Sequence, residues 1–325
     1  MYRYDKTNDI VGDSVDIITS SAFLQNRLWD ILDSHIVIGD VESGKEYYVT
    51  KANDLIRISG KGASMVVKGG GDLTMNSQSN VKTVFRQYNG STYFLDKQIQ
   101  PALKSVYKVL SENPEFSMFF ELLNGVPEGN IIQIFAQQGI DYRIKFFNAF
   151  RYTVYVPTNA AIQKAIDNKV IQTWQEISTL SGPEKERAVT KLINFLKYHF
   201  QDDAVFLGDT FNGQYQSATL KTDMTQTHFG TVKNKYYKLG VTGNSTSIQI
   251  TMDTPAGAPL KTAVVVKTNG LYNIIAKDYI FAKLPSAYKY IDGTGSLSGS
   301  LFNTSSISTS ASAVIHQIDN VLTIE

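Results

Sequence analysis

The stretch TVYVPTNAAIQKAI (153–166) reads as a strand that runs straight into a helix. Thr153 to Val156 are β-branched or aromatic and suit a strand. Pro157 withdraws its backbone donor and stops the ladder. Thr158 or Asn159 can then cap a helix whose body is Ala160 to Ile166. The stretch holds no carboxylate, imidazole or thiol, so its plain reading is a folding corner rather than a reaction centre.

Around this corner the chain alternates between β-like and helical tracts. Residues 22–34, AFLQNRLWDILDS, carry apolar positions at helical spacing. Short β-like pieces follow: IVIGD, EYYVT, DLIRIS, SMVVKG, KTVFRQY and STYFLD, separated by SGK, SGKG, GGGD and NG. GGGD (69–72) is expected to be a turn between two strands. After Pro101 come two short helices, broken at Asn113-Pro114, and then the corner. A helical region from about Val170 to Phe200 has Pro183 well placed at a helix start. From Ala204 the pattern is β again, through YKLGV, SIQITM, TAVVVK and YNIIAK, to a final strand AVIHQIDNVLTI (313–324). SLSGSLFNTSSISTSASA (296–313) is Ser/Thr-rich and reads as a surface loop.

Two landmarks occur twice in the same order. A helix ending in His, then an apolar pair and Gly-Asp, appears at 27–40 and again at 191–209. A strand ending in an apolar residue and Asp appears as NGSTYFLDKQI (89–99) and ASAVIHQIDNVL (311–322). Setting Asp96 on Asp319 places Leu95 on Ile318 and Tyr93 on His316. Such long-period similarity points to duplicated units rather than a short-repeat solenoid. Asn159 lies 40 residues before His199, and the same count back from His35 falls before residue 1. The first copy is therefore expected to lack its opening corner and to leave apolar surface and strand edges uncovered.

Composition narrows the function classes. Lys plus Arg number 31 against 30 Asp plus Glu, a net charge of +1, which argues against a nucleic-acid partner. No apolar run approaches the ~20 residues that span a bilayer. MYRYDKTNDIVGD has no apolar stretch after its basic residue and is not a signal peptide. With no cysteine there are no disulfides and no thiolate sites. The 18 Tyr and 17 Phe supply ample core. The four histidines (His35, His199, His228, His316) are scattered, the carboxylates dispersed, and no HExxH, GxSxG, Walker or Rossmann pattern occurs. No catalytic residue, metal site or cofactor is expected. Sequons at Asn89, Asn244 and Asn303 matter only in a eukaryotic secretory pathway.

These motifs together resemble the fasciclin family. TVYVPTNAAIQKAI is similar to that family's opening strand, Pro-Thr-Asn corner and amphipathic helix, with Val156 where Ala is usual. Tyr198-His199 is similar to its central Tyr-His pair, with Ser34-His35 standing there in the first copy. AVIHQIDNVL and NGSTYFLD resemble its closing strand, and SVYKVLSENPEFSMFFELL (105–123) its entry helices. The resemblance implies an α+β fold: a wedge of two small mixed sheets with helices packed on one side, in tandem. Residues 1–100 would be a partial copy lacking the first motif, and 101–325 a full copy with large insertions. Pro157, Thr158, Asn159, His35, His316, Asp96 and Asp319 would be structural marks.

The resemblance also implies a non-enzymatic binding or adhesion module of the bacterial exported type. It would sit at the cell surface, the outer membrane or the periplasm, and a removed leader could carry a lipid anchor. Its partner would be a matrix or cell-surface protein or glycan. Tyr198 and His199 match positions implicated in receptor contact in eukaryotic relatives, although QDDAVFLGD departs from the usual flank. For His199 the plain reading is a buried, satisfied histidine; for Asn159 it is a pin between helix donors and turn carbonyls. Tyr236 and Tyr237 in KYYKLG, and Tyr288 and Tyr290 in SAYKYIDG, are candidates for a contact surface. Two other readings stay open: a structural or accessory subunit of a larger surface assembly, and a hydrolase housed in the insertion.

Overall fold

The computed structural model describes residues 2–5, 10–14, 31–125, 133–138, 141–146, 149–221, 236–283 and 306–324. The helical tract at 22–30, His228, Asn303, Tyr288 and Tyr290 lie outside them. Strands β1 (Tyr2–Asp5) and β2 (Ile10–Ser14) pair with each other. Strands β3 (Tyr47–Val49), β4 (Leu55–Ser59), β5 (Val66–Gly69), β6 (Ser79–Gln87) and β7 (Gly90–Leu95) form an antiparallel sheet in chain order. Their alternation puts Ile56, Ile58, Met65, Val67 and Val81 on one buried face.

GGGD is a helix start, not a turn. Helix α1 (Gly70–Met75) leaves β5 directly. The glycines are there because residues 99–102 pass over them: a Cβ on Gly69 would overlap the backbone oxygen of Gln100, and one on Gly71 that of Pro101. Buried Asp72 holds the crossing by accepting the amides of Gly69 and Gln100, each at 3.0 Å, and the Ser77 hydroxyl.

Helices α2 (Val106–Glu112) and α3 (Ser117–Asn124) follow, capped by Ser105 and preceded by a short turn on Asn113. Then come the hairpin β8 (Phe135–Gln138)–β9 (Asp141–Ile144) and strand β10 (Arg151–Pro157). Helices α4 (Asn159–Asp167), α5 (Trp174–Ser178) and α6 (Gly182–Tyr198) lead to β11 (Phe200–Asp202). The remaining strands are β12 (Phe211–Leu220), β13 (Tyr236–Gly243), β14 (Ile248–Met252), β15 (Thr262–Val266), β16 (Ile274–Lys283) and β17 (Ser306–Ile318).

Their order is β10-β11-β12-β13-β14-β15-β17-β16, and β17 also pairs in parallel with β10. Seven strands therefore close on themselves, with β16 outside the ring. The mixed helix-and-strand character expected from the sequence is present. The strands run as one ladder rather than as separate small sheets because β11 and β17 each pair on both edges. Tyr155, Tyr198, Leu239, Val241, Ile250 and Ile318 fill the inside of the ring. Val154 and Val156, on the other face of β10, pack against the helices with Phe116, Phe119, Ile162 and Leu196. The Ser/Thr-rich tract corrects the sequence expectation from residue 306 onward: β16 supplies a full set of cross-strand partners, and 306–313 are strand. The final strand stops at Ile318, where Asp319 clamps the ladder.

At the corner, Thr158 accepts the Ala161 amide at 3.2 Å and donates its own amide to Ile318 at 2.9 Å. Asn159 reaches across to the entry helices. Its Nδ2 donates to Pro114 O at 3.0 Å and to Ser117 Oγ at 3.2 Å, while its Oδ1 accepts the Met118 amide at 3.2 Å.

The two halves share one register. Val37 bridges Thr50 as Gln201 bridges Ser217, so His35 falls on His199. Ile56 and Ile58 pair with Gly69 and Val67 as Leu239 and Val241 pair with Met252 and Ile250. Val81 faces Leu95 as Val265 faces Ile318. Asp96 exchanges two backbone-directed bonds with Asn80 (3.0 and 2.8 Å), and Asp319 does the same with Val264 (3.0 and 2.7 Å). Both histidines set Nδ1 on the carbonyl four residues back, at 2.9 Å for His35 and 2.8 Å for His199. The halves meet through an apolar contact in which Tyr47 stacks on Phe206 at 4.2 Å, beside Leu55, Ile275 and Val314.

Candidate functional site

The shared register exposes one difference. In the second half, β10 sits between β11 and β17, antiparallel to the first and parallel to the second. The corresponding segments of the first half are 36–38 and β7. Among the described residues nothing pairs with the edges that face each other there: β7 is the end strand of its sheet, paired with β6, and Val37 bridges Thr50 on its other side. Between them lies a cavity of about 1140 Å³, with 35–41 on one wall, 89–95 on the other, and Ile56, Ile58, Met65, Val67 and Ile99 at its floor. Among the described residues no strand lies between 36–38 and β7.

The rim of this slot is apolar and exposed. Ile38 is 84% accessible, Phe94 53% and neighbouring Phe85 54%. Phe85 and Phe94 pack edge to face at 5.4 Å across β6 and β7. One polar cluster borders it. Glu42 accepts from Arg86 at 2.9 Å, from the Tyr93 hydroxyl at 2.9 Å and from the Gly62 amide at 3.2 Å. The Tyr93 hydroxyl, followed by Arg86, holds the Glu42 carboxyl below its usual range.

The residues singled out in the sequence do not converge. Tyr198 and His199 have no exposed surface. Tyr198 donates to Lys238 O at 3.0 Å and accepts the Asp253 amide at 2.8 Å; burial raises its hydroxyl pKa. His199 donates from Nδ1 to Phe195 O and accepts the Leu322 amide on Nε2 at 3.1 Å, which defines a neutral ring. Burial pushes its pKa down to about 4. These bonds explain the Tyr-His pair as scaffold: it ties α6 to β13 and to the chain after β17. A ligand on the surface has no access to either side chain, which corrects the expected receptor contact at these two positions.

His316 is likewise buried, with Nδ1 at 2.8 Å from Tyr272 O and Nε2 at 2.9 Å from Val205 O, and burial holds its pKa below the usual value. Tyr236 and Tyr237 are partly exposed but, as neighbours on a strand, face different hollows. Tyr236 lines one with Phe146, Phe150 and Arg151; Tyr237 lines another with Phe195, Leu220 and Ile324, with the Lys221 ammonium 5.1 Å above its ring. They do not form one contact patch. Among the described residues no three His, Asp or Glu side chains are placed to hold a metal ion.

Sequence reasoning did not name the slot residues 36–38 and 89–95 as a site. The signal that pointed to them was the unmatched corner, since β10 and its flanks occur once while their ladder partners occur twice.

No family model matches this chain, and no curated protein matches it. Among solved structures it is similar to a FAS1 domain pair from the insect cell adhesion molecule fasciclin I, at 13% identity and a TM-score of 0.33. That match covers 92% of this chain and 81% of the other. The overlay is loose, and the correspondence between the chain's own two halves is the more detailed one.

Proposed function

We propose that this chain is a non-enzymatic binding and adhesion protein, exported to the cell surface or periplasm, that recognises a matrix or cell-surface protein or glycan. The observation that carries this reading is the apolar, aromatic-rimmed slot, since exposed apolar surface of this kind marks interaction sites. The motifs resembling fasciclin modules support it, as does the use of the buried histidines in structural bonds. No helix among the described residues is long and apolar enough to cross a membrane. Binding assays of the 325-residue chain against matrix proteins and glycan panels at high micromolar concentration test the proposal. Saturable binding to one of them is the expected result, and uniform failure rejects it.

Among the described residues nothing pairs with the facing edges of 36–38 and β7, which favours a second reading, a subunit or accessory of a larger surface assembly, because unpaired strand edges invite pairing with another chain. Pull-down from the native membrane fraction addresses this directly. A stoichiometric companion is expected, and a clean monomer without one rejects it.

A further inference from the structure

The hollow that Tyr237 lines in the second half is a recess of about 750 Å³ walled by three elements. Helix α6 gives one wall. Its residues Arg187, Thr190, Lys191 and Asn194 recur at spacings of three and four and so share one face, while Leu192, Ile193 and Leu196 turn into the core. Strands β12 and β13 give the second wall through Leu220 and Tyr237. The chain after β17 gives the third through Thr323 and Ile324, and buried Ile171 and Phe195 complete the lining. Each wall is tied to another. Thr219 donates its hydroxyl to Asn194 O and Ser217 donates its own to Tyr237 O, both at 2.8 Å, and the Leu322 amide donates to His199 Nε2 at 3.1 Å. The recess is therefore pre-formed, and its volume falls within the ~300–1,000 Å³ of small-ligand pockets.

Its chemistry is two-sided. Leu220 is 46% exposed and Tyr237 partly so, which leaves apolar and aromatic surface open beside the α6 face. That face carries hydrogen-bond donors: the Arg187 guanidinium, the Thr190 hydroxyl, the Lys191 ammonium and the Asn194 amide. Arg187 makes no ion pair and no hydrogen bond among the described residues. Glu186 is the acid on the lining, set against Arg187 and Lys191. The Lys221 ammonium over the Tyr237 ring is already paired with Asp253 at 3.0 Å. The balance at the recess is cationic, and its one unpaired guanidinium has the fork that matches a carboxylate.

We infer that the second half carries a small-molecule site for an aromatic carboxylic acid. The ring system packs between Leu220, Tyr237 and Ile324, and the carboxylate lies on the Arg187 guanidinium through two parallel N–H donors. The apolar wall supplies burial without charge discrimination, and Arg187 supplies the selection for an anionic head. The inference goes beyond the adhesion reading, since it concerns a free small molecule and a recess in the other half of the chain.

Titration calorimetry of the full chain with three probes of one shape tests it: 2-naphthoate, 2-naphthamide and 2-naphthylmethylammonium. The acid should bind one to one with Kd on the order of 100 µM, and the amide and the amine at least ~10-fold more weakly. Arg187→Gln, at an exposed helix position, should weaken the acid about 10-fold or more and leave the amide within about 2-fold. Arg187→Glu should reverse the preference, so that the amine binds better than the acid. Leu220→Ser should weaken all three probes alike, because it removes packing and no charge.

No saturable binding of the acid at about 5 mM overturns the inference. Equal affinity for the three probes does so too, as does unchanged binding of the acid to Arg187→Glu. Binding that survives Arg187→Glu and is lost in Ile38→Asp places the acid in the slot of the first half and equally overturns it.

Discussion

The two halves of this chain use the same ladder, the same histidine anchor and the same aspartate clamp, yet among the described residues one ring is closed and the other has no counterpart of β10. The difference is one strand. In the second half, β10 turns an edge into an interior, so the Tyr155 hydroxyl donates to Gln201 and its ring stacks on His316 away from water. In the first half, no described strand pairs with the outer edges of the equivalent segments, and Ile38 and Phe94 are exposed. A barrel of short strands owes its stability to closure as much as to the apolar character of each strand.

The largest expected effect contrasts Ile318 with Leu95, its counterpart. Ile318 is wholly buried within the closed ring, and Ile318→Ala should cost about 3–4 kcal/mol in denaturant unfolding. Leu95→Ala, at the half-exposed wall of the slot, should cost roughly 1 kcal/mol. Equal losses would break the comparison by showing that the first ring is already filled. A Leu95→Ala cost near zero would sharpen it.

Acid should separate the halves next. His199 is neutral in the fold, with a pKa near 4 against 6.5 for an unperturbed ring. The unfolded chain therefore takes up the proton first as pH falls. Stability from this site is whole above about pH 6.5 and drains away towards pH 4, a total of roughly 3 kcal/mol. His316 shifts in the same direction. Unfolding followed from about pH 7.5 to about pH 4.5 should show the loss, and His199→Gln should flatten it while lowering stability at neutral pH. A profile that stays level in the parent would contradict the buried neutral ring.

Asn159→Ala removes three bonds between the corner and the entry helices. The expected cost is about 1–2 kcal/mol, with no counterpart in the first half. Thermal melts would show a cost near zero if water replaces the amide. The smallest effect is expected from Asp96→Ala and Asp319→Ala, which should lower the melting temperature slightly and by similar amounts, because both carboxylates clamp one exposed ladder end. A large asymmetry would mean that the shared register does not carry shared energetics.

Much of this was legible in the sequence. The corner at 153–166, the helix break at Asn113-Pro114, the helix start at Pro183 and the alignment of Asp96 with Asp319 all follow from local chemistry: a missing N–H, a capping oxygen, an alternating face. GGGD was not legible, because its glycines answer to residues 99–102 passing overhead rather than to a turn. The Ser/Thr-rich tract was misread from 306 onward because its strand identity depends on β16. Tyr198 and His199 could be read as a pair but not as buried, since burial needs β13 and Leu322 in place.

By itself the sequence determined the corner at 153–166, most of the alternating strands and the paired landmarks, each set by residues near one another in the chain. Which side chains are inside, and where an edge stays open, only the tertiary structure decided. Ring closure joins β10 to β17, strands far apart in the chain, and nothing in either strand alone states whether its edge has found a partner.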